Sequence, residues 1–194
     1  MSCMDVNETI TWLDHWFDRL IEEKAYLSDL DQKIGDGDHG NNMARGAVAT
    51  KEALESKQPA DVSALFMTVA QTLMSKIGGA SGPLYGSAFL AMATTAKNSE
   101  NLADIFAAGL DKIQQRGKAE PGEKTMVDMW HPAVEALKAN NLSQEVLDEA
   151  SAKTAELKAT KGRASYYGER SIGEPDPGAE SSKYLFEALI KTQA

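Results

Sequence analysis

The sequence predicts an all-α protein folded as a single domain. Apolar residues recur at helical spacing in about eight segments, and no segment alternates β-branched residues with a period of two. No linker, internal repeat or low-complexity tract divides the chain. Its 194 residues suffice for one well-buried domain, and a hydrophobic content of 42% is ordinary for a globular protein.

In chain order, residues 4–27 place Val6, Ile10, Leu13, Phe17, Leu20 and Ile21 on one helix face, widened by Trp12 and Trp16. Residues 28–40 read as a loop rich in Gly and Asp, both poor in helix interiors. A helix over 41–56 follows, with Met43, Ala47, Thr50 and Leu54 on one side. Pro59 and Asp61 introduce the next, whose stripe is Val62, Leu65, Phe66, Val69, Leu73 and Ile77. Ser81 followed by Pro83 reads as an N-cap and first turn, opening a buried helix of small residues that runs to about Ala96 and allows close backbone approach to a neighbour or a ligand. Helices over 100–116 and 125–139 come next, the second interrupted by Pro132. Ser143 caps a helix to about Thr160. Residues 161–182 form a long irregular stretch, and its tyrosines and prolines favour an ordered lid. A last helix carries Tyr184, Leu185, Ala188 and Leu189.

The net charge is −9, from 29 acidic against 20 basic residues. That excludes a general nucleic-acid binder, whose affinity rests on phosphate neutralisation. No apolar run reaches membrane-spanning length, and the N-terminus lacks the basic-then-apolar pattern of a signal peptide. The lone Cys3 allows neither an internal disulfide nor a thiolate metal site, so a reducing cytoplasm is the expected location.

The most informative run is 31–46, where Asp31, Asp36 and Asp38 are interleaved with Gly35, Gly37 and Gly40 and followed by His39, Asn41 and Asn42. Converging carboxylates need a positive partner, and a hard divalent cation with oxygen ligands is the simplest one. An EF-hand loop is excluded, because a start at Asp36 puts Ala47 where the bidentate Glu belongs. No P-loop or protein-kinase signature occurs. The helix start after the carboxylates offers backbone N–H groups to an anion, which together describe a polyphosphate site. Ser81 and its glycines are either a second phosphate contact or a close-packing device. Lys124, Arg163 and Arg170 sit on irregular segments from which a cation can reach a ligand, whereas His15 and His131 read as structural. No nucleophile with a nearby base is assignable, so catalytic residues on this chain are not named. Binding and neutralising a phosphorylated group suits phosphoryl transfer.

Four blocks in one order carry a resemblance: Ile34-Gly-Asp-Gly-Asp-His-Gly-Asn-Asn-Met43, Gly79-Ala-Ser-Gly82, Gly122-Glu-Lys-Thr-Met-Val-Asp128, and Gly162-Arg-Ala-Ser-Tyr with Asp176-Pro-Gly178. They closely resemble the nucleotide-binding L-subunit family of bacterial dihydroxyacetone kinases over almost the whole chain. The resemblance implies a closed barrel of eight antiparallel helices with nucleotide and two Mg²⁺ ions at one end. It implies that Asp31, Asp36 and Asp38 hold the ions, and that His39, Gly40, Asn41, Asn42, Ala80 and Ser81 contact the nucleotide. Gly117 and Met126 would border the adenine, with Arg163, Asp176, Pro177 and Gly178 in a closing segment.

Related domains of fatty-acid-kinase type usually have Thr at the position of His39, so His39 favours the dihydroxyacetone branch. The chain leaves no room for a substrate domain, which points to the phosphoenolpyruvate-dependent system. There, retained ADP is rephosphorylated to ATP by a phosphocarrier M subunit, and the γ-phosphoryl passes to dihydroxyacetone on a separate K subunit. Two other classes stay open: a nucleotide-sensing regulator of the same fold, and a two-metal phosphatase lacking any identifiable acid or base beyond His39. The oligomeric state is also open, a homodimer included.

Overall fold

The chain enters its first helix through a reciprocal cap. Asp5 accepts from the Glu8 amide at 2.8 Å, and Glu8 accepts from the Asp5 amide at 2.9 Å, satisfying donors that a helix start leaves free. The structure is a computed structural model describing residues 4–194, and Cys3 lies outside the described residues. Helix α1 (Val6–Glu22) buries Trp12, Leu13, Trp16, Phe17 and Leu20.

The chain then bends at Glu23 and continues as α2 (Lys24–Ile34). This corrects the expected loop over 28–40. Leu27, Leu30 and Ile34 are buried, and their spacing of three and four makes an apolar stripe that sustains a helix between polar residues. The true loop is short, and Asp31 stands on the last turn of α2.

The remaining helices are α3 (His39–Lys57), α4 (Val62–Lys76), α5 (Ser81–Thr95), α6 (Leu102–Gly117), α7 (Val127–Lys138), α8 (Gln144–Glu156) and α9 (Pro177–Gln193). Asp61, Asn101, Ser143 and Asp176 cap α4, α6, α8 and α9 with side-chain oxygens. Three boundaries differ from the sequence reading. Ser81 is the first residue of α5, with Ala80 at the cap position and no side-chain cap bond. Helix α8 stops at Glu156. Within 161–182 lie a 3-10 helix, Arg163–Ser171, and the first turn of α9, started by Pro177 after its Asp176 cap.

Eight of these helices close a ring. Helix α1 packs on α3, α3 on α4, and so on in order to α8 on α9, and α9 returns to α1. Helix α2 flanks the ring against α3 and α9. The connections turn the chain back on itself, all short except the one between α8 and α9, which carries the 3-10 helix, giving the closed antiparallel barrel expected. Its interior is filled by Trp12, Trp16, Phe66, Phe89, Phe106, Trp130 and Phe186, in ring-to-ring contact. Helices α4 and α5 approach closely because Gly86 has no side chain: a Cβ there would lie 2.1 Å from Met74 Cγ. Among the described residues, no helix is long and apolar enough to cross a membrane.

Candidate functional site

The connections α2–α3, α4–α5, α6–α7 and α8–α9 meet at one end of the barrel and enclose a cleft of about 380 Å³. The position of Asp31 on a helix now matters. Its Oδ2 accepts from the Asp38 amide at 2.9 Å and the His39 amide at 3.1 Å, so α2 caps the start of α3. Asp38, at the cap position, makes no such bond itself and keeps its carboxylate free. One oxygen from each of Asp31, Asp36 and Asp38 lies within 4.8 Å of the others. All-oxygen, mostly exposed and convergent, this donor set fits a hard divalent cation.

The 3-10 segment lies against this loop. Arg163 pairs with Asp36, Tyr167 Oη donates to the Gly35 carbonyl at 3.2 Å, and Lys33 pairs with Glu174 at 2.5 Å. Arg170 instead stacks its guanidinium on the Tyr167 ring at 5.5 Å.

His39 is the buried member of the group. Its Nε2 is 2.9 Å from Ser181 Oγ and its Nδ1 3.2 Å from Ser81 Oγ. Burial pushes the ring down to about 4, against smaller upward pulls from Asp38 and the Pro177 backbone; the imidazole is therefore neutral near pH 7. Behind it, Tyr85 Oη is 2.8 Å from Ser181 Oγ and 2.7 Å from Ser182 Oγ, and Trp130 Nε1 donates to Ser182 Oγ at 3.0 Å. Tyr85, Ser181 and Ser182 escaped the sequence reading, because nothing in a helical pattern marks hydroxyls that converge from α5 and α9. A serine pair on the inward stripe of a helix was the available signal.

Lys124 turns its ammonium into the protein. Only 1% exposed, its Nζ donates to the carbonyls of Thr154 at 2.6 Å and Glu174 at 2.7 Å, fastening the α6–α7 connection to the end of α8 and the approach to α9. Beside it, Asp176 Oδ2 accepts from the Ala179 amide at 2.9 Å. Burial pushes the Asp176 carboxyl up to about 7, opposed by that amide and by Lys124.

The cleft thus gathers Asp31, Asp36, Asp38, His39, Asn42, Ala80, Ser81, Gly117, Met126, Arg163, Asp176, Pro177 and Gly178 from the residues named by sequence. It does not gather Gly40 or Asn41. Asn41 points to solvent on α3. Gly40 faces the other way: a Cβ there would lie 1.8 Å from the Lys24 carbonyl of α2, so its bareness lets α2 and α3 touch. Leu84, Ile113, Ala119 and Val127 add an apolar lining that sequence pattern could not tell from core. A cavity of similar size, about 400 Å³, opens among Thr9, Asp61, Phe66, Glu100 and Leu102. It has no convergent carboxylates, and its Asp61 already caps α4 through the Ala64 amide.

Comparison with known proteins gives a consistent picture. Residues 33–191 match the DAK2 domain. The chain is 53% identical over 191 residues to the "PTS-dependent dihydroxyacetone kinase, ADP-binding subunit DhaL" of Lactococcus lactis, covering 98% of this chain and 100% of that one. It is 43% identical to the "PEP-dependent dihydroxyacetone kinase, ADP-binding subunit DhaL" of Escherichia coli, covering 94% of each. The crystal structure of the dihydroxyacetone kinase from C. freundii in complex with AMP-PNP and Mg²⁺ superposes with a TM-score of 0.77 at 27% identity, over 93% of this chain and 33% of that longer one.

Proposed function

The chain belongs to the DAK2 domain family, and from that premise we propose that it is the ADP-binding subunit of a phosphoenolpyruvate-dependent dihydroxyacetone kinase. A phosphocarrier M subunit phosphorylates the retained ADP, and the γ-phosphoryl passes to dihydroxyacetone on a K subunit. The observation that carries this reading is the convergence of Asp31, Asp36 and Asp38 oxygens within 4.8 Å, beside the start of α3 and at the mouth of a partly apolar cleft.

Asp31, Asp36 and Asp38 hold two Mg²⁺ ions, which supply charge neutralisation to the diphosphate and to the phosphoryl group in transfer. The α3 start and Ser81 face the phosphates. Leu84, Ile113, Gly117, Ala119 and Met126 offer the base an apolar lining with little polar competition. Arg163 and the Asp176–Gly178 turn border the opening. The chain's own residues position and neutralise; the accepting hydroxyl and its base come from another chain.

The test is retention. Protein purified in Mg²⁺ should carry ADP through gel filtration and release it on chelation, and Asp36→Asn should abolish tight retention. A protein that never retains ADP, or retains it equally with chelator or with Asp36→Asn, overturns the reading. Phosphoryl transfer in a mixture with K and phosphocarrier subunits separates a kinase subunit from a nucleotide-sensing regulator.

A further inference from the structure

Ser181 lies on α9, is fully buried and does not line the cleft, yet one hydroxyl, that of Ser181, connects three groups that do or that support it. Its Oγ is 2.9 Å from His39 Nε2, 3.2 Å from the Gly178 carbonyl and 2.8 Å from Tyr85 Oη. On the far side of the ring, His39 Nδ1 faces Ser81 Oγ at 3.2 Å, and Ser81 borders the cleft. A neutral imidazole has one donor and one acceptor, so the choice made at Nε2 dictates the choice at Nδ1.

Two assignments satisfy every group. In the first, Ser181 donates to the Gly178 carbonyl, Nε2–H donates to Ser181 Oγ, and bare Nδ1 accepts the Ser81 proton. Ser81 then shows the cleft only lone pairs. In the second, Ser181 donates to bare Nε2, and Nδ1–H donates to Ser81 Oγ. The Ser81 proton is then free for an anion, Tyr85 Oη donates to Ser181 Oγ at 2.8 Å, and the Gly178 carbonyl keeps the Ser182 amide one turn on in α9. The ring's net charge is the same in both; one proton leaves Nε2 and one arrives at Nδ1, by exchange with solvent.

We propose that Ser181 is a positioning residue for phosphate binding: by donating to His39 Nε2 it fixes the ring as the Nδ1–H tautomer and turns the Ser81 hydroxyl into a donor towards the nucleotide phosphate. Tyr85 supports this by donating in turn to Ser181 Oγ at 2.8 Å. The inference rests on the reading of the cleft as an ADP site, since only an anion there favours the second assignment.

The test is ¹⁵N NMR of imidazole-labelled protein near pH 7, with and without ADP and Mg²⁺. The sequence has three histidines, and a His39→Gln spectrum assigns the ring. The wild type should change from Nε2–H to Nδ1–H on binding. Ser181→Ala should keep Nε2–H and bind ADP more weakly by about tenfold or more, the share of one hydrogen bond to a charged group. Ser182→Ala, which removes a Tyr85 partner without touching His39, should leave the tautomer change intact and ADP affinity within about twofold. An ADP-bound wild type with an unchanged tautomer, or a Ser182→Ala defect equal to that of Ser181→Ala, overturns the relay while leaving the ADP site standing. Wild type that binds no ADP overturns both. The wild-type spectra decide the matter even if Ser181→Ala fails to fold.

Discussion

Lys124 and Arg163 both line the cleft, and each has a carboxylate near it, but they are held in opposite ways. Lys124 is sealed, bonded to two main-chain carbonyls, with Asp176 buried alongside. Arg163 is exposed and meets Asp36, which is also exposed. Carbonyls are fixed acceptors that no ligand supplies in their place, whereas a carboxylate that a cation can claim is a partner to be exchanged. The buried pair holds the floor of the cleft in shape. The exposed pair occupies carboxylate valence that Mg²⁺ would take over under the proposed function.

The largest effect should come from Lys124→Met. It removes two hydrogen bonds from a charged donor, at about 1.5–3 kcal/mol each, leaving the Thr154 carbonyl only the Leu157 amide at 3.3 Å, so urea unfolding should show a loss of about 3–6 kcal/mol. An unchanged midpoint would erase the contrast.

The second test uses pH on ligand-free protein. His39 is lowered from its ordinary 6.5 to about 4. Unfolding therefore takes up a proton as pH falls below 6.5, and stability drops down to about pH 4. Asp176 is raised from 3.8 to about 7, so here the folded state takes up the proton, and stability is gained over nearly the same window. The two contributions oppose each other. Asp176→Asn keeps an oxygen to cap α9 and removes only the gain. Unfolding midpoints of this variant should fall between pH 6.5 and 4, by about 3 kcal/mol, where the wild type stays flatter. Parallel profiles would mean that the buried carboxyl is not the one titrating.

The smallest effect belongs to Arg163→Ala. An exposed ion pair contributes about 0–1 kcal/mol, so denaturation should barely move. A loss comparable to Lys124→Met would make the two cations equivalent after all.

Much of this was legible beforehand. Helical periodicity reveals the single all-α domain, and interleaved Asp and Gly reveal the carboxylate cluster, because both are local features of the chain. What escaped is non-local. Lys124 and Arg163 have similar neighbourhoods in sequence, and only the fold decides which one meets carbonyl oxygens. Asp31 looked like a loop residue because Leu27, Leu30 and Ile34 form a stripe too narrow to stand out among polar residues. Ser81 looked like a cap, but its hydroxyl turns to His39, a ring from a distant part of the chain. Leu84 and Ile113 serve cleft and core with the same chemistry, so pattern cannot divide them.

Gly40 carries a consequence for tolerance. Asp31 ends α2 and Asp38 precedes α3, so the gap between their oxygens is gauged by how closely these helices touch, and the touching point is the Gly40 hydrogen against the Lys24 carbonyl. Mg²⁺ accepts oxygen at about 2.0–2.1 Å and tolerates little deviation. A single methyl group at this position would act as a shim, spreading the carboxylates without altering any of them. Under the proposed function, selectivity for a small ion over a larger one would thus rest partly on an atom that never meets the metal.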